Sequence, residues 1–277
     1  MKEPVGVGPD LVIDVSSSGL VAATPFDSAV LAPTVAPASV LAEVFGTSLP
    51  PGGDRMMCSP HVDRLAVDES GPFLRDPLDL IDEERALVAG MSVPVDEVIG
   101  APIGRALAWA VATPEDRIVI LVPSTWGARR LERLLVAGRR WHERLHPVRA
   151  ALITADALLS STQAWTTVVE TMSRSAAVSL VRRSRDEVNI VDRRLVHRLD
   201  PVRDRLIDDY AGRIVDAAVG MRGSRRETRN GSHELLACGV DADRLVTACD
   251  LRGELAYIVP PEATAEAAIH LGATMAD

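Results

Sequence analysis

One short motif in the chain has the residue types and spacing of a metal-dependent hydrolase. His142, Glu143 and His146 form the pattern HExxH. On a helix, the two histidines of this pattern lie one turn apart and can bind zinc, while the glutamate acts as general base. The sequence predicts a helix over these residues, so a zinc metallopeptidase acting through the segment HERLH is one candidate function.

Three features around this motif favour a simpler interpretation, a polar helix end. Arg144 would place a cation beside the metal, and Pro147 would end the helix at the second histidine. No third ligand stands out among the residues considered, which are Asp156, Glu170 and His197. Cys58 and His61 are too sparse to form a metal site of their own. We therefore predict no bound metal.

The scarcity of lysine excludes several classes of enzyme. Lys2 is the only lysine in the chain, although Lys and Arg together number 30. The rest of the sequence therefore offers no residue for a Schiff base, a Walker A loop or a lysine that holds a γ-phosphate. This excludes class I aldolases, pyridoxal enzymes, P-loop NTPases and protein kinases.

The charge balance argues against a nucleic-acid partner. The net charge is −9, whereas binding to a phosphate backbone requires a basic surface. Residues 63–97 are acidic, but residues 129–144 contain six arginines, at positions 129, 130, 133, 139, 140 and 144. This arginine cluster could bind an acidic protein partner, although a solvated helix face is the simpler interpretation.

The sequence predicts a cytoplasmic protein. Cys58, Cys238 and Cys249 are odd in number and show no CxxC spacing, which favours a reducing compartment. The first residues lack the charged segment and apolar run of a secretion signal, and no apolar stretch is as long as a membrane span. We expect no membrane insertion. The oligomeric state stays open.

Buried strands and amphipathic helices alternate in the first half of the chain. The five apolar residues Ile118–Val122 predict a strand buried on both faces, followed by a turn at Pro123 and an Arg-rich helix. The chain opens with a predicted hairpin of strands at residues 11–15 and 20–24. The other elements predicted here are helices at 38–45 and from Pro94 to 110, a strand at 148–153 and a helix at 155–161.

The second half begins with short β runs that predict an antiparallel meander between residues 168 and 191. Asp200 and Pro201 are typical of a helix start, and Gly220 is typical of a helix end. Four apolar residues at spacing four lie between them: Val202, Leu206, Tyr210 and Ile214. A strand near 255–259 and a helix at 262–275 follow. Together these elements predict an α/β protein of two lobes, 1–163 and 164–277.

Several of these segments, taken in order, resemble one protein family. The strand Ile118–Val122, the turn Pro123–Trp126 and the following helix are similar to a strand, turn and helix of actin-like and heat-shock-chaperone-type ATPase domains. The segment Pro261–Ala273 resembles the last helix of that family. Phe73–Pro77, the Pro94 helix and the Pro123–Trp126 turn also resemble actinobacterial chaperone-like proteins, including some associated with type VII secretion.

The resemblance implies both a fold and a ligand site. The implied fold is the two-lobed actin-like (ribonuclease-H-like) ATPase fold with a shortened second lobe, and nucleotide would bind in the cleft between the lobes. The family's first phosphate loop, Asp-Leu-Gly-Thr-Thr, matches Asp14 and the residues after it. Asp14 would stand near the metal, and hydroxyl groups would come from Ser16, Ser17 and Ser18. Ser16 replaces the family's glycine.

The family's second phosphate loop, Asp-Leu-Gly-Gly-Gly-Thr-Phe-Asp-Val-Ser, matches residues 170–179. Glu170 takes the place of the first aspartate, and Ser175 keeps a hydroxyl group. Ala177 replaces the second aspartate. The family's glycine pair that contacts adenosine has no clear counterpart in residues 231–252.

The loss of glycine predicts a damaged nucleotide site. Met172, Ser173 and Arg174 replace the three glycines of the second loop. In the family those glycines let bare backbone N–H groups approach phosphate oxygens and adopt positive φ angles. We expect Arg174 to fill the empty cleft or to form a salt bridge in it, rather than to neutralise a phosphate.

We therefore predict a non-catalytic pseudo-ATPase that holds no cofactor and works by protein–protein interaction. The resemblance implies an accessory role, with components of a type VII secretion system as partners. The vestigial nucleotide site would comprise Asp14, Ser16, Ser17, Ser18, Glu170 and Ser175. A weak ATP-binding, chaperone-like switch that uses these residues is the main alternative, and the zinc metallopeptidase is the third.

Overall fold

Two five-stranded β-sheets, one from each half of the chain, organise the computed structural model. The structure describes residues 8–16, 19–45, 56–65, 71–158, 164–184, 187–198, 207–224, 234–239 and 241–271. The elements of the first half are β1 Leu11–Asp14, β2 Leu20–Ala23, β3 Ser28–Leu31, β4 Ala36–Pro37, α1 Ala38–Phe45, β5 Met56–Met57, α2 Pro60–Leu65, a 3₁₀ helix Pro77–Leu80, β6 Arg85–Val88, β7 Met91–Pro94, α3 Val95–Ala110, β8 Ile118–Val122, α4 Ala128–Arg139, β9 Leu145–Arg149 and α5 Ala150–Leu158. Those of the second half are β10 Trp165–Thr171, β11 Ser175–Arg183, β12 Val188–His197, α6 Ile207–Gly223, β13 Glu234–Gly239, α7 Ala242–Asp250, β14 Ala256–Ile258 and α8 Ala263–His270.

The first sheet has the strand order β3-β2-β1-β8-β9, so β1 lies at its centre. β1 pairs with β2 in an antiparallel hairpin and with β8 in parallel. Because β8 is a run of five apolar residues, neither of its faces can be left to solvent, and all five residues are buried. The predicted opening hairpin and the predicted buried strand at 118–122 are confirmed.

The second sheet has the strand order β12-β11-β10-β13-β14, so β10 lies at its centre. β10, β11 and β12 pair in antiparallel fashion, which confirms the predicted meander. β13 continues the sheet in parallel on the other side of β10, followed by β14. The predicted strand near 255–259 is confirmed by β14, whereas β13 and α7 have no counterpart among the predicted elements.

Helices cover the outer faces of both sheets and fill the space between them. α3 and α4 pack on the outer face of the first sheet, and α6 and α7 on that of the second. α5 and α8 lie between the sheets: α8 and the start of α5 pack on the first sheet, and α5 also packs on the second. A buried hydrogen bond of 3.1 Å joins the hydroxyl groups of Thr154 in α5 and Thr264 in α8.

Three predicted boundaries are wrong. The strand predicted at 148–153 ends at Arg149, where its pairing with β8 ends, and the helix predicted to begin at residue 155 begins at Ala150 as α5. An apolar run of this length fits a buried strand and a buried helix equally well. Gly220 lies inside α6 rather than after its end, while Val202 and Leu206 are outside the described residues.

The division into lobes at residue 163 stays a prediction, because residues 159–163 are outside the described part of the chain. Several contacts cross it; one of them is the packing of α8, from the second half, on Val12 and Val21 of the first sheet. None of the described helices combines the length and the apolar character that crossing a membrane requires.

Candidate functional site

Two acidic side chains that the resemblance singled out lie at the carboxyl ends of the two central strands. Asp14 is the last residue of β1, and Glu170 is the penultimate residue of β10. Both are almost fully buried, with 3% and 1% of their surface exposed. Ser16 lies two residues after the end of β1, and Ser175 begins β11. Ser17 and Ser18 lie outside the described residues.

Asp14 is held by the backbone just after its own strand. The N–H of Ser16 donates a hydrogen bond of 2.7 Å to Asp14 Oδ1. Burial nevertheless raises the pKa of Asp14 to about 6, because the hydrogen bonds from Ser16 only partly offset the loss of water. The carboxyl group is therefore ionised at neutral pH, but at a cost in free energy.

Glu170 ionises less readily than Asp14. Ser124, in the turn after β8, donates its N–H to Glu170 Oε2 at 3.1 Å, while Oε1 is buried with no hydrogen-bond partner. Burial raises the pKa of Glu170 to about 8, and the negative charge of Asp14 adds to this shift. At neutral pH Glu170 is therefore mainly protonated and neutral, which is the opposite of what binding a cation would need.

The turn between β10 and β11 contacts the first half of the chain. The N–H of Met172 donates to the carbonyl of Ser175 at 2.8 Å, which closes a tight hairpin. Ser173 Oγ donates to Asp79 Oδ2 at 2.6 Å, and Asp79 belongs to the 3₁₀ helix Pro77–Leu80. Arg174 Nε lies 3.2 Å from the same oxygen, so the predicted salt bridge of Arg174 is confirmed.

A cavity of about 190 Å³ remains beneath this turn. Carboxyl groups from the 3₁₀-helix segment line it, namely those of Asp76, Asp79 and Asp82. Two arginines also line it, but Arg130 is paired with Asp82 and Arg174 with Asp79. Burial and the charge of Asp79 raise the pKa of Asp76. The cavity therefore offers anionic groups and paired cations to a ligand.

The HERLH segment does not form a helix. α4 ends at Arg139, residues 140–144 form a turn, and β9 begins at Leu145 because it pairs there with β8. His142 places Nε2 3.0 Å from the carbonyl oxygen of Thr113, and its Nδ1 accepts the N–H of Arg144. The predicted helix is wrong, so the zinc metallopeptidase loses the geometry on which it rested. Within the described ranges, no group of three or more His, Cys, Asp or Glu side chains is placed to hold a metal ion.

The three cysteines are poor nucleophiles. Burial raises the pKa of Cys58 and of Cys249 to about 11, and that of Cys238 well above its ordinary value. The thiolate is the reactive form of cysteine, and it is scarce at neutral pH when the pKa is this high. Cys238 and Cys249 are buried among apolar side chains, and Cys58 Sγ donates a hydrogen bond of 3.3 Å to the carbonyl oxygen of Ala32.

Several residues at this site could not be found by sequence reasoning. Ser124, Asp79 and Gly239 come from three separate segments, and only the fold brings them beside residues 170–175. Gly239 did carry a signal, since it follows the apolar run Leu235–Cys238 directly. It has a φ of 101°, and a Cβ there would lie 2.1 Å from the carbonyl oxygen of Thr171. Gly239 therefore occupies the end of β13, where the absence of a side chain lets this strand lie close to β10.

Comparisons with known proteins identify the fold. No family model matches the chain, and no curated protein sequence matches it. Solved structures that share its fold include one described as "MamK double helical filament", with a TM-score of 0.62 over 96% of this chain and 99% of that chain. The sequence identity is 13%, so the likeness concerns the fold alone. The chain therefore has an actin-like α/β fold.

Proposed function

We propose that this chain is a pseudo-ATPase: an actin-like scaffold that does not hydrolyse nucleotide and acts as an accessory factor by binding protein partners. The observation that carries the proposal is the hydrogen bond between Ser173 and Asp79, made by the turn that matches the family's second phosphate loop. The resemblance of the sequence to chaperone-like proteins of type VII secretion suggests the components of such a system as partners, in the cytoplasm.

The geometry of the β10–β11 turn supports this proposal. A phosphate-binding loop presents several backbone N–H groups to one anion and needs glycine to do so. In this turn the N–H of Met172 is already bonded to Ser175, and Ser173 and Arg174 direct their side chains to Asp79. A phosphate group would have to displace these contacts.

Charge and space support it as well. A nucleoside triphosphate is a polyanion, and the lining of three carboxyl groups against two arginines has no excess of positive charge to attract it. Lys2 is the only lysine, and the two arginines at the cavity are already paired with aspartates. The cavity of about 190 Å³ is also smaller than the roughly 300–1,000 Å³ that is usual for sites that enclose organic ligands.

Titration calorimetry with ATP or ADP in the presence of magnesium tests the proposal. We expect no saturable heat, which corresponds to a dissociation constant weaker than about 1 mM. A non-hydrolysable ATP analogue should behave in the same way, since the barrier is one of space and charge rather than of chemistry. Micromolar affinity for any of these nucleotides would contradict the proposal.

One observation favours a second candidate, the weak nucleotide-dependent switch. Asp14 and Glu170 lie at the carboxyl ends of the two central strands, and the charge of Asp14 raises the pKa of Glu170, so the acidic groups of the two segments that match the family's phosphate loops lie near each other. If nucleotide binding is detected, Asp14→Ala should abolish it. Binding that persists unchanged in Asp14→Ala would reject these residues as the site.

A further inference from the structure

Two arginines converge on one carbonyl oxygen at the junction of the sheets. Arg149, the last residue of β9, donates from Nη1 to the oxygen of Ser124 at 2.6 Å. Arg193, in β12, donates from Nη1 to the same oxygen at 3.0 Å. Within the described ranges neither arginine forms a salt bridge with a carboxylate. Two like charges are therefore held side by side without an anion between them.

A β-bulge directs Arg193 to this position. Leu180 pairs with Asp192 and Val181 pairs with Ile190, so Val191 is an extra residue in β12. Without the bulge, strict alternation would turn Asp192 to the face that Ile190 shares with α5, and Arg193 to the other face. Bulges commonly re-aim a side chain in this way. The bulge therefore places Arg193 on the face that Ile190 shares with α5, while Asp192 also lines the groove.

An open groove of about 550 Å³ runs beside the two arginines. One wall is formed by Arg149 and Leu152, and the other by the consecutive residues 189–193. Arginine, aspartate and apolar side chains share this lining, namely Arg149, Arg193, Asp192, Leu152 and Ile190. Among the described strands, β12 is an outer strand of its sheet.

Within the described ranges, no nearby carboxyl group forms a salt bridge with the arginine pair. Glu170 lies close enough for the charge of Arg149 to affect it, but burial raises the pKa of Glu170 to about 8 and keeps it mainly neutral. Asp192 lies in the groove, where its Oδ1 accepts the backbone N–H of Arg193 at 2.8 Å. Burial, and next the charge of Arg193, lower the pKa of Arg149, as expected for two cations without a shared anion.

We propose that this groove binds an acidic peptide segment of a protein partner, with one carboxylate between Arg149 and Arg193. The inference rests on the proposed function, for which it names the class of partner. A peptide fits better than a free anion because the groove combines the cationic groups of Arg149 and Arg193 with the apolar side chains of Leu152 and Ile190. Arginine pairs suit carboxylates because their N–H groups match both oxygens.

Two variants at neighbouring positions, Arg193→Gln and Arg194→Gln, each remove one positive charge and together test the groove. The probe is an N-acetylated, C-amidated peptide of alternating glutamate and valine, and its affinity is measured by calorimetry at low ionic strength. We expect Arg193→Gln and Arg149→Gln each to weaken binding about tenfold or more, the usual effect of losing a hydrogen bond to a charged group. Arg194→Gln removes the same charge next along the strand. It should leave the affinity within about twofold, because Arg194 lies on the α6 face near Gly220.

The controls separate the peptide from other anions and this inference from the proposed function. A peptide with glutamine in place of glutamate should not bind, and inorganic phosphate should not displace the acidic peptide. Equal losses in Arg193→Gln and Arg194→Gln, binding of the glutamine peptide, or displacement by phosphate would each overturn the inference. Thermal unfolding of every variant verifies that it is folded. Nucleotide titration of the same samples measures nucleotide binding alone. The pseudo-ATPase proposal and the proposal of peptide binding in the groove can therefore fail independently.

Discussion

Replacing Glu170 by glutamine is expected to stabilise the protein by several kcal/mol at pH 8 and to give no gain at pH 5. Burial raises the pKa of this carboxyl group to about 8 in the folded state, from 4.5 in its absence. Between these two pH values the folded state holds a proton that the unfolded state has lost, so stability falls as the pH rises from about 4.5 to about 8. Each pKa unit corresponds to about 1.4 kcal/mol. Glutamine cannot ionise, and the variant should lose this part of the pH dependence.

At low pH, the gain in stability of Glu170→Gln is limited by one hydrogen bond that the new amide group cannot form. Glu170 Oε1 has no partner, so an amide nitrogen in its place would be buried unsatisfied. Urea unfolding from pH 5 to pH 8 measures the effect, and Glu143→Gln, in an exposed turn, is the control for loss of a charge. Asp14→Asn should show the same behaviour over a narrower range, from about 3.8 to about 6. Parallel stability curves for the wild type and Glu170→Gln would contradict the assignment of Glu170 as a buried, strained acid.

The second large effect is expected for Gly239→Ala, which should lower the free energy of unfolding by about 3 kcal/mol or more. Two costs add at this position. The φ of 101° is a conformation that side chains rarely adopt, and the new Cβ would lie 2.1 Å from the carbonyl oxygen of Thr171. That contact is made by backbone at the end of the central strand β10, which cannot move away without disturbing the sheet.

A second glycine separates these two costs. Gly253 also has a positive φ, of 71°, but no atom lies within 4 Å of the position that a Cβ would take. Gly253→Ala should therefore cost only about 1 kcal/mol, from backbone strain alone. Denaturant unfolding of the two variants under identical conditions measures the difference. If both substitutions cost the same, the close approach of β13 to β10 has no energetic importance.

The elements that could be predicted from the sequence are those whose pattern is local. α1 occupies the predicted residues 38–45, and β8 occupies the predicted residues 118–122. The errors arise where pairing with a strand distant in sequence determines the local secondary structure. The segment HERLH has the composition of a helix end, but residues from Leu145 onward join β8, and this pairing ends the helix early. The same pairing, which stops at Arg149, fixes the start of α5.

The candidate site shows the same limit more strongly. Asp14 and Glu170 could be named because each follows a recognisable strand in a segment that resembles a known loop. Their environment could not be predicted. Ser173 forms a hydrogen bond with Asp79, 94 positions away, and Glu170 forms one with Ser124, 46 positions away. The arginine pair depends on a bulge, which is a property of strand register and not of composition.

The position of α8 has a consequence for the order in which this protein can be made. Residues 263–270 cover strands β1 and β2, which leave the ribosome some 240 residues earlier. Until that late segment is synthesised, only the start of α5, through Ala150 and Ile153, covers this apolar side of the earliest sheet, and such transient exposure favours aggregation. Contacts so distant in sequence also form slowly. We therefore expect the first sheet to stay partly uncovered between the synthesis of β9 and that of α8.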